Sequence, residues 1–168
     1  MAPKYLADEK LWSMSPLAFG RKVVVRYSPL GVIGVIGPWN YPLVNVFLDA
    51  VPALMAGNAV VLKPSEVTPL TALLVAEMMT ACGMPPGVLG VATGGRETGE
   101  ALIDEVDMVM FTGSTRTGKT VMERAAKTLT PVSLELGGKD PMIVCADANV
   151  DRAANAATFY ALLSLIHI

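Results

Sequence analysis

The sequence predicts an α/β fold, with a parallel sheet covered by helices on both faces. The chain has 168 residues, of which 52% are hydrophobic and 17% are charged, a length and composition typical of one folded domain. Its predicted strands are short apolar runs without polar alternation, as in strands that are buried on both sides. Strand and helix patterns alternate along the chain, which favours parallel strands joined by crossover helices.

The N-terminal part is predicted to be an arm followed by one strand. Residues 1–22 are mixed in character and contain Pro16 and Gly20, which favours a surface arm. The β-branched run at 23–25 predicts a strand within residues 22–27, and the turn at 28–31 ends it. We therefore divide the chain into an arm and strand at 1–30 and an α/β domain at 31–163.

The predicted domain begins with a strand at 32–36 and a helix at 42–56, which Gly57 and Asn58 close. A strand at 59–62 follows, and then a helix at 69–83 that Thr68 caps and Pro69 begins. The same alternation continues to the end of the chain. The further predicted elements are strands at 88–91, 106–111, 131–136 and 141–145, and helices at 97–103, at 115–127 and from about 150 onward.

Composition and charge exclude several classes of function. The formal net charge of −2 gives no basic field for nucleic acid, and no apolar run is long enough to span a membrane. The N-terminus has no signal-peptide pattern. Cys82 and Cys145 lie far apart, and we interpret both as buried structural thiols. We expect a cytoplasmic protein that binds no nucleic acid, no membrane and no metal.

Polar and glycine residues cluster where the predicted strands end. In parallel sheets, ligands bind beyond the carboxyl ends of the strands, so these segments are the main functional signal. They are Pro38-Trp39-Asn40, Lys63-Pro64-Ser65-Glu66, Thr112-Gly113-Ser114 and Glu135-Leu136-Gly137-Gly138.

One of these segments supports two hypotheses. Residues Gly113–Thr120 fit the pattern G-x-x-x-x-G-K-T of an ATP- or GTP-binding P-loop, and Asp147, after an apolar run, could then hold magnesium. The same helix N-terminus could instead attract the pyrophosphate of a dinucleotide, with Lys119 solvated. A P-loop protein would explain neither Asn40 nor the pair formed by Lys63 and Glu66.

Four motifs follow one another at the predicted strand ends. They are Gly37-Pro-Trp-Asn-Tyr-Pro42, Lys63-Pro-Ser-Glu66, Phe111-Thr-Gly-Ser-Thr115 and Leu134-Glu-Leu-Gly-Gly-Lys139. Together they resemble the aldehyde dehydrogenase superfamily, in its order and with its spacing. The resemblance runs from about Leu17 to about Leu163, and implies an incomplete Rossmann-like dinucleotide-binding domain of the aldehyde dehydrogenase type. It also implies oxidation of an aldehyde through a cysteine thioester.

The resemblance also implies the roles of individual residues. Asn40 would donate a hydrogen bond to the oxyanion of the tetrahedral intermediate, and Glu135 would be the general base that activates water. The cofactor would be NAD or NADP, with NAD slightly favoured because the Glu66 carboxylate would repel a 2′-phosphate. The cofactor-binding residues implied are Ile36, Pro38, Trp39, Asn40, Lys63, Ser65, Glu66, Gly95, Phe111, Gly113, Ser114, Thr117, Glu135, Leu136 and Gly137.

The C-terminal end departs from the family pattern. Residues 164–168 do not match the segment that leads to the family's nucleophilic cysteine, which by the family's spacing would follow Ile168. We therefore expect a fragment that lacks the catalytic domain and is inactive alone, derived from a homo-oligomeric parent that acts on a small-molecule aldehyde. A non-catalytic, nucleotide-binding fragment is the remaining alternative.

Overall fold

The computed structural model describes residues 2–11 and 20–163 of the chain. The helices are α1 (Ala2–Tyr5), α2 (Val44–Met55), α3 (Pro69–Ala81), α4 (Arg96–Glu105), α5 (Thr115–Ala125) and α6 (Val150–Leu163). The strands are β1 (Glu9–Leu11), β2 (Val23–Val25), β3 (Val32–Ile36), β4 (Ala59–Lys63), β5 (Leu89–Val91), β6 (Met108–Gly113) and β7 (Val132–Leu136). Among the described residues, no helix combines the length and apolar character needed to cross a membrane.

Five parallel strands form the main sheet in the order β5-β4-β3-β6-β7. The parallel α/β architecture predicted from the sequence is therefore confirmed. The chain builds outward from β3 through β4 to β5, and then returns to the other side of β3 to add β6 and β7. The reversal lies between β3 and β6, and open α/β sheets bind ligands beyond the carboxyl ends of the strands at such a point.

Helices cover the sheet on both faces and create two hydrophobic cores. On one face, α2 buries Val46, Ala50 and Ala53 against the sheet, and their i, i+4, i+7 spacing places them on one side of the helix. On the other face, α4 and α5 pack on the sheet through a core that includes Leu102 and Val121. Both faces of the strands are apolar for this reason, which explains the lack of polar alternation in their sequences.

Ion pairs join α4 to α5 at their C-terminal ends. Arg124 donates from Nε to Asp104 Oδ1 (2.8 Å) and from Nη1 to Glu100 Oε2 (3.0 Å). The Arg124 guanidinium lowers the pKa of the Asp104 carboxyl, and hydrogen bonding from Arg96 lowers the pKa of Glu100. These pairs fix how the two helices lie against each other, although solvent access limits their effect on stability.

The turn at the amino end of the sheet depends on Asn58. Its Oδ1 accepts hydrogen bonds from the backbone N–H groups of Leu30 (2.7 Å) and Gly31 (3.1 Å), and its Nδ2 donates to the Ala53 carbonyl (2.9 Å). Gly57 adopts a φ of 88°, in the left-handed region that glycine tolerates. The predicted closure of the helix by Gly57 and Asn58 is confirmed.

Two expectations are wrong. The predicted strand at 141–145 does not form; these residues are exposed, and an apolar run becomes a strand only where a neighbouring strand supplies backbone partners. Cys82 and Cys145, predicted to be buried, are exposed thiols. The predicted arm contains two short elements, α1 and β1, and β1 pairs antiparallel with β2. Residues 164–168, predicted as a non-matching tail, lie outside the described residues.

We expect Gly37→Ala to destabilise the chain by about 1–3 kcal/mol, the usual cost of overpacking a core. A Cβ at Gly37 would overlap the Cγ2 of Val46, which is fully buried and has no room to move. Urea unfolding followed by circular dichroism measures the difference. The control is Gly90→Ala, whose new methyl would lie 3.9 Å from Val61. Equal stability of the two variants would contradict the prediction.

Candidate active site

Two successive rows of residues cross the carboxyl end of the sheet. Strand register aligns Lys63, Ile36, Phe111 and Leu134 in the first row. Ile36 and Phe111 belong to the core beneath α4 and α5, so this row faces those two helices. Because side chains alternate between the faces of a strand, the residues one position further on face α2.

The second row contains Gly37, Thr112 and Glu135. Thr112 pairs with Glu135 in the register of β6 and β7, and Gly37 follows Ile36 at the end of β3. Gly37 lies against Val46 of α2, which confirms the face of this row. Gly37 and Glu135 are two strands apart, a separation of about 10 Å. The sheet therefore presents different predicted site residues to its two faces.

On the first face, Lys63 is buried and its partner is exposed. The Lys63 side chain is 7% exposed, and its Nζ donates across 3.5 Å to Glu66 Oε2, whose side chain is 63% exposed. A hydrogen bond from its own backbone N–H and the charge of Lys63 lower the pKa of the Glu66 carboxyl. An ammonium has three donors, so Lys63 has capacity for further acceptors beside this long bond.

The other residues of this segment shape the turn. Ser65 is buried, and its Oγ accepts a hydrogen bond from the backbone N–H of Val67 (3.3 Å). The Lys63 stem lies beside Gly99 in α4, where a Cβ would be 3.7 Å from Lys63 Cδ. The structure thus brings Lys63, Ser65 and Glu66 together, and Ser65 contacts the backbone of its own turn.

Two helices begin at the same end of the sheet. Gly95 is the N-cap residue of α4, and Ser114 is the N-cap residue of α5. The Oγ of Ser114 accepts a hydrogen bond from the Thr117 N–H (3.2 Å) and lies 2.9 Å from Thr117 Oγ1. Gly113 precedes this cap, and a Cβ there would be 2.6 Å from the Phe111 ring. Free N–H groups in a first helical turn attract anions such as phosphate.

The P-loop hypothesis is wrong. Residues 115–118 are already helical, and the Gly118 N–H donates to the Ser114 carbonyl (2.9 Å), so this N–H is not available to a phosphate. Gly118 is buried where α5 packs on β7: a Cβ there would be 2.6 Å from Leu136 Cδ2, so the end of the Leu136 side chain would have to move. Lys119 is exposed on the helix.

Asn40 lies in the loop between β3 and α2, where the backbone takes an unusual conformation. Tyr41 has a φ of 51°, which is uncommon for a residue with a side chain. The Asn40 carbonyl accepts a hydrogen bond from Asn45 Nδ2 (3.0 Å), and the Trp39 carbonyl accepts one from Thr68 Oγ1 (3.4 Å). The N-cap residue of α2 is Leu43, without a side-chain cap, so Asn40 does not cap this helix.

Glu135 is exposed on β7 and its side chain projects on the α2 face. Asp49 of α2 is half-buried, and burial together with the negative charge of Glu135 raises the pKa of the Asp49 carboxyl. Asn40 leads directly into α2, so the loop that carries it and Glu135 lie at the same end of the sheet. Leu136, one residue on, faces α5, and Gly137 has open space around its Cα.

The sequence reasoning did not identify Asn45 and Asp49 as parts of this site. Both interrupt the apolar run that forms α2, and a polar residue within an otherwise apolar helical run was the available signal. Asn45 contacts the loop that carries Asn40, and Asp49 responds to the charge of Glu135. The Asn45 side chain therefore contacts the loop at the strand ends, and Asp49 lies close enough to Glu135 to be affected by its charge.

Comparison with known proteins defines the class of protein. The model of the aldehyde dehydrogenase family matches residues 2–164. A 3,6-anhydro-alpha-L-galactose dehydrogenase of Streptomyces coelicolor is 48% identical over 160 residues, which cover 94% of this chain and 32% of that protein. The chain belongs to the aldehyde dehydrogenase family. It spans about a third of the length of this relative.

Solved structures show the same fold. An NADP-dependent enzyme of E. coli superposes with a TM-score of 0.86 and 38% identity, over 94% of this chain and 33% of the other. A double mutant of betaine aldehyde dehydrogenase from Staphylococcus aureus, in complex with NAD+, gives a TM-score of 0.81 and 39% identity, over 89% of this chain and 30% of the other. The sheet described above is thus the Rossmann-like sheet of this family.

Replacing Asp49 by Asn is expected to stabilise the chain at neutral pH. A raised pKa means that the folded state favours the protonated carboxyl, so stability falls as the pH rises through that pKa. The neutral amide avoids this loss, and the advantage of the variant should disappear as the pH falls below 3.8, the ordinary value for Asp.

Urea unfolding at about pH 3 and about pH 7 measures this effect. Asp140→Asn, at an exposed position, is the control for the same exchange of carboxylate for amide. An Asp49→Asn variant that is less stable than the parent at neutral pH would show that the prediction is wrong.

Proposed function

We propose that this chain binds NAD or NADP across its strand ends and contributes Asn40 and Glu135 to the oxidation of an aldehyde to a carboxylic acid. The chemistry is that of an oxidoreductase working through a cysteine thioester, with the cysteine in a segment outside residues 1–168. The observation that carries the proposal is the pair of rows: Lys63 lies on one face of the sheet, and Glu135 lies on the other, one residue further along.

The residues on the first face fit a dinucleotide. The buried Lys63 ammonium suits ribose hydroxyl oxygens, and Glu66 beside it can accept hydrogen bonds from the same hydroxyls. The pyrophosphate would lie at the N-terminus of α5, next to Gly113 and Ser114, where the helix dipole favours negative charge. Gly95, the N-cap residue of α4, lies at the same end of the sheet. The bound cofactor supplies the hydride acceptor for the reaction.

A slight preference for NAD is part of the proposal. The Glu66 carboxylate would repel a 2′-phosphate, but its exposed side chain can turn into solvent, so the discrimination should be modest. One related structure is an NADP-dependent enzyme and another binds NAD+. Residues Pro38 and Trp39 would line the groove toward the nicotinamide, with Leu136 and Gly137 at its far side.

The residues on the second face would do the chemistry. The Asn40 amide would donate a hydrogen bond to the oxyanion formed when the thiolate attacks the aldehyde. The exposed Glu135 carboxylate would take a proton from the water that hydrolyses the thioester. The division of the chain at residues 30 and 163, a homo-oligomeric assembly and a cytoplasmic location stay predictions.

The first test is dinucleotide binding by the 168-residue chain. We expect Lys63→Met to weaken NADH binding by about 10- to 100-fold, because a hydrogen bond to a charged group contributes about 1.5–3 kcal/mol. Calorimetric titration or NADH fluorescence measures the affinity. Lys119→Met removes an exposed lysine and is the matched control. Glu66→Gln should shift the ratio of affinities toward NADPH. Equal loss of binding in the two lysine variants would reject the proposed cofactor site.

The second test is catalysis, in a hybrid enzyme in which this chain replaces the matching segment of the Streptomyces coelicolor relative. With an aldehyde substrate, Glu135→Gln should lower kcat by about 10²- to 10⁴-fold, and Asn40→Ala by about 10²- to 10³-fold. Absorbance of the reduced cofactor follows the reaction. Glu123→Gln on the exposed side of α5 is the control. A hybrid that binds NADH but forms none from NAD would favour a non-catalytic role for the chain.

A further inference from the structure

The first turn of α2 holds the loop that carries Asn40 at two points. Val46 packs against Gly37, where the loop leaves β3. Asn45, the neighbouring residue, donates from Nδ2 to the Asn40 carbonyl across 3.0 Å. The backbone N–H of Asn45 also donates to the Tyr41 carbonyl (3.0 Å). One residue of the helix therefore binds two successive carbonyls of the loop.

The hydrogen bond from the Asn45 side chain restrains a segment of backbone that has an unfavourable conformation. It fixes the peptide group between Asn40 and Tyr41, and Tyr41 has a φ of 51°. A left-handed conformation in a residue with a side chain is unfavourable and persists only when surrounding contacts maintain it. The plane of this peptide also sets the direction of the Cα–Cβ bond of Asn40. The Asn45 amide thus restrains the backbone from which the Asn40 side chain projects.

We infer that Asn45 is a positioning residue for the oxyanion donor Asn40. The inference rests on the proposed function, since it assigns to Asn45 the orientation of a group that the proposal makes catalytic. Oxyanion stabilisation depends on donors that are already in place before charge develops. The amide of Asn45 suits this task because only its NH2 group can face a carbonyl oxygen. A carboxylate of the same shape at this position would repel it.

The test compares Asn45→Asp with Asn58→Asp in the hybrid enzyme. Each change replaces an amide that donates to a backbone carbonyl, Asn40 in the first case and Ala53 in the second. We expect Asn45→Asp to lower kcat by about 10- to 100-fold, since a displacement of about 1 Å can cost 10²-fold in rate. The KM for NAD should stay within about twofold. Asn58→Asp, at the opposite end of the sheet, should reduce stability and leave kcat of the folded enzyme unchanged.

A spectroscopic measurement on the 168-residue chain gives an independent readout. Asn45→Asp and Asn45→Ala should both shift the amide resonances of Asn40 and Tyr41 and change the Tyr41 coupling constant that reports φ, while resonances of the sheet remain in place. Unchanged resonances at both residues would overturn the inference.

The kinetic outcomes distinguish a failure of the proposed function from a failure of the inference about Asn45. An unsubstituted hybrid without dehydrogenase activity would mean that the proposed function fails. An active hybrid in which Asn45→Asp leaves kcat unchanged, or raises the KM for NAD in proportion to the loss of rate, would mean that Asn45 does not position Asn40 and that the inference is wrong.

Discussion

The close packing of α2 on the end of β3 is the contact on which the site depends. Val46 is fully buried against Gly37, and a side chain at position 37 would separate the helix from the strand. Because the loop between them is only seven residues long, the position of the helix determines the path of residues 37–43. That path includes the left-handed Tyr41 and the peptide that Asn45 holds. The absence of a side chain at Gly37 thus allows the close packing that sets the geometry of the loop that carries Asn40.

The two faces of the sheet separate the proposed cofactor site from the proposed catalytic residues. Successive residues of a strand point to opposite faces, so one position along a strand is enough to change from one site to the other. Lys63, Ile36 and Phe111 face α4 and α5, whereas Glu135 faces α2. A slip of one residue in the pairing of β7 would exchange Glu135 with Leu136, moving a carboxylate into an apolar contact and a leucine toward the site. The contact between Leu136 and Gly118 opposes such a slip. Packing on one face therefore maintains the polar arrangement on the other.

The sequence was sufficient for the elements whose signals are local. The strand at 32–36 was predicted with its observed bounds, and the end of α2 was marked by the cap chemistry of Gly57 and Asn58, which follow it. The run at 141–145 has the same apolar character as the true strands but no partner, and pairing is not visible in one segment. The motifs identified Asn40 and Glu135 as candidates, whereas the involvement of Asn45 and Asp49 follows from contacts between distant segments.

The glycine-rich turn shows how a tertiary contact decides between two local structures. Residues Gly113–Thr120 satisfy the P-loop pattern, but in a P-loop the backbone N–H groups before the lysine must remain free to surround phosphates. Here the helix has already begun at Thr115, before Gly118 and Lys119, and the Gly118 N–H is used within it. Gly118 is buried against Leu136 of β7, whose side-chain end would have to move to admit a Cβ. A glycine needed for packing and a glycine needed for phosphate binding give the same sequence pattern, and only the position of the helix start distinguishes them.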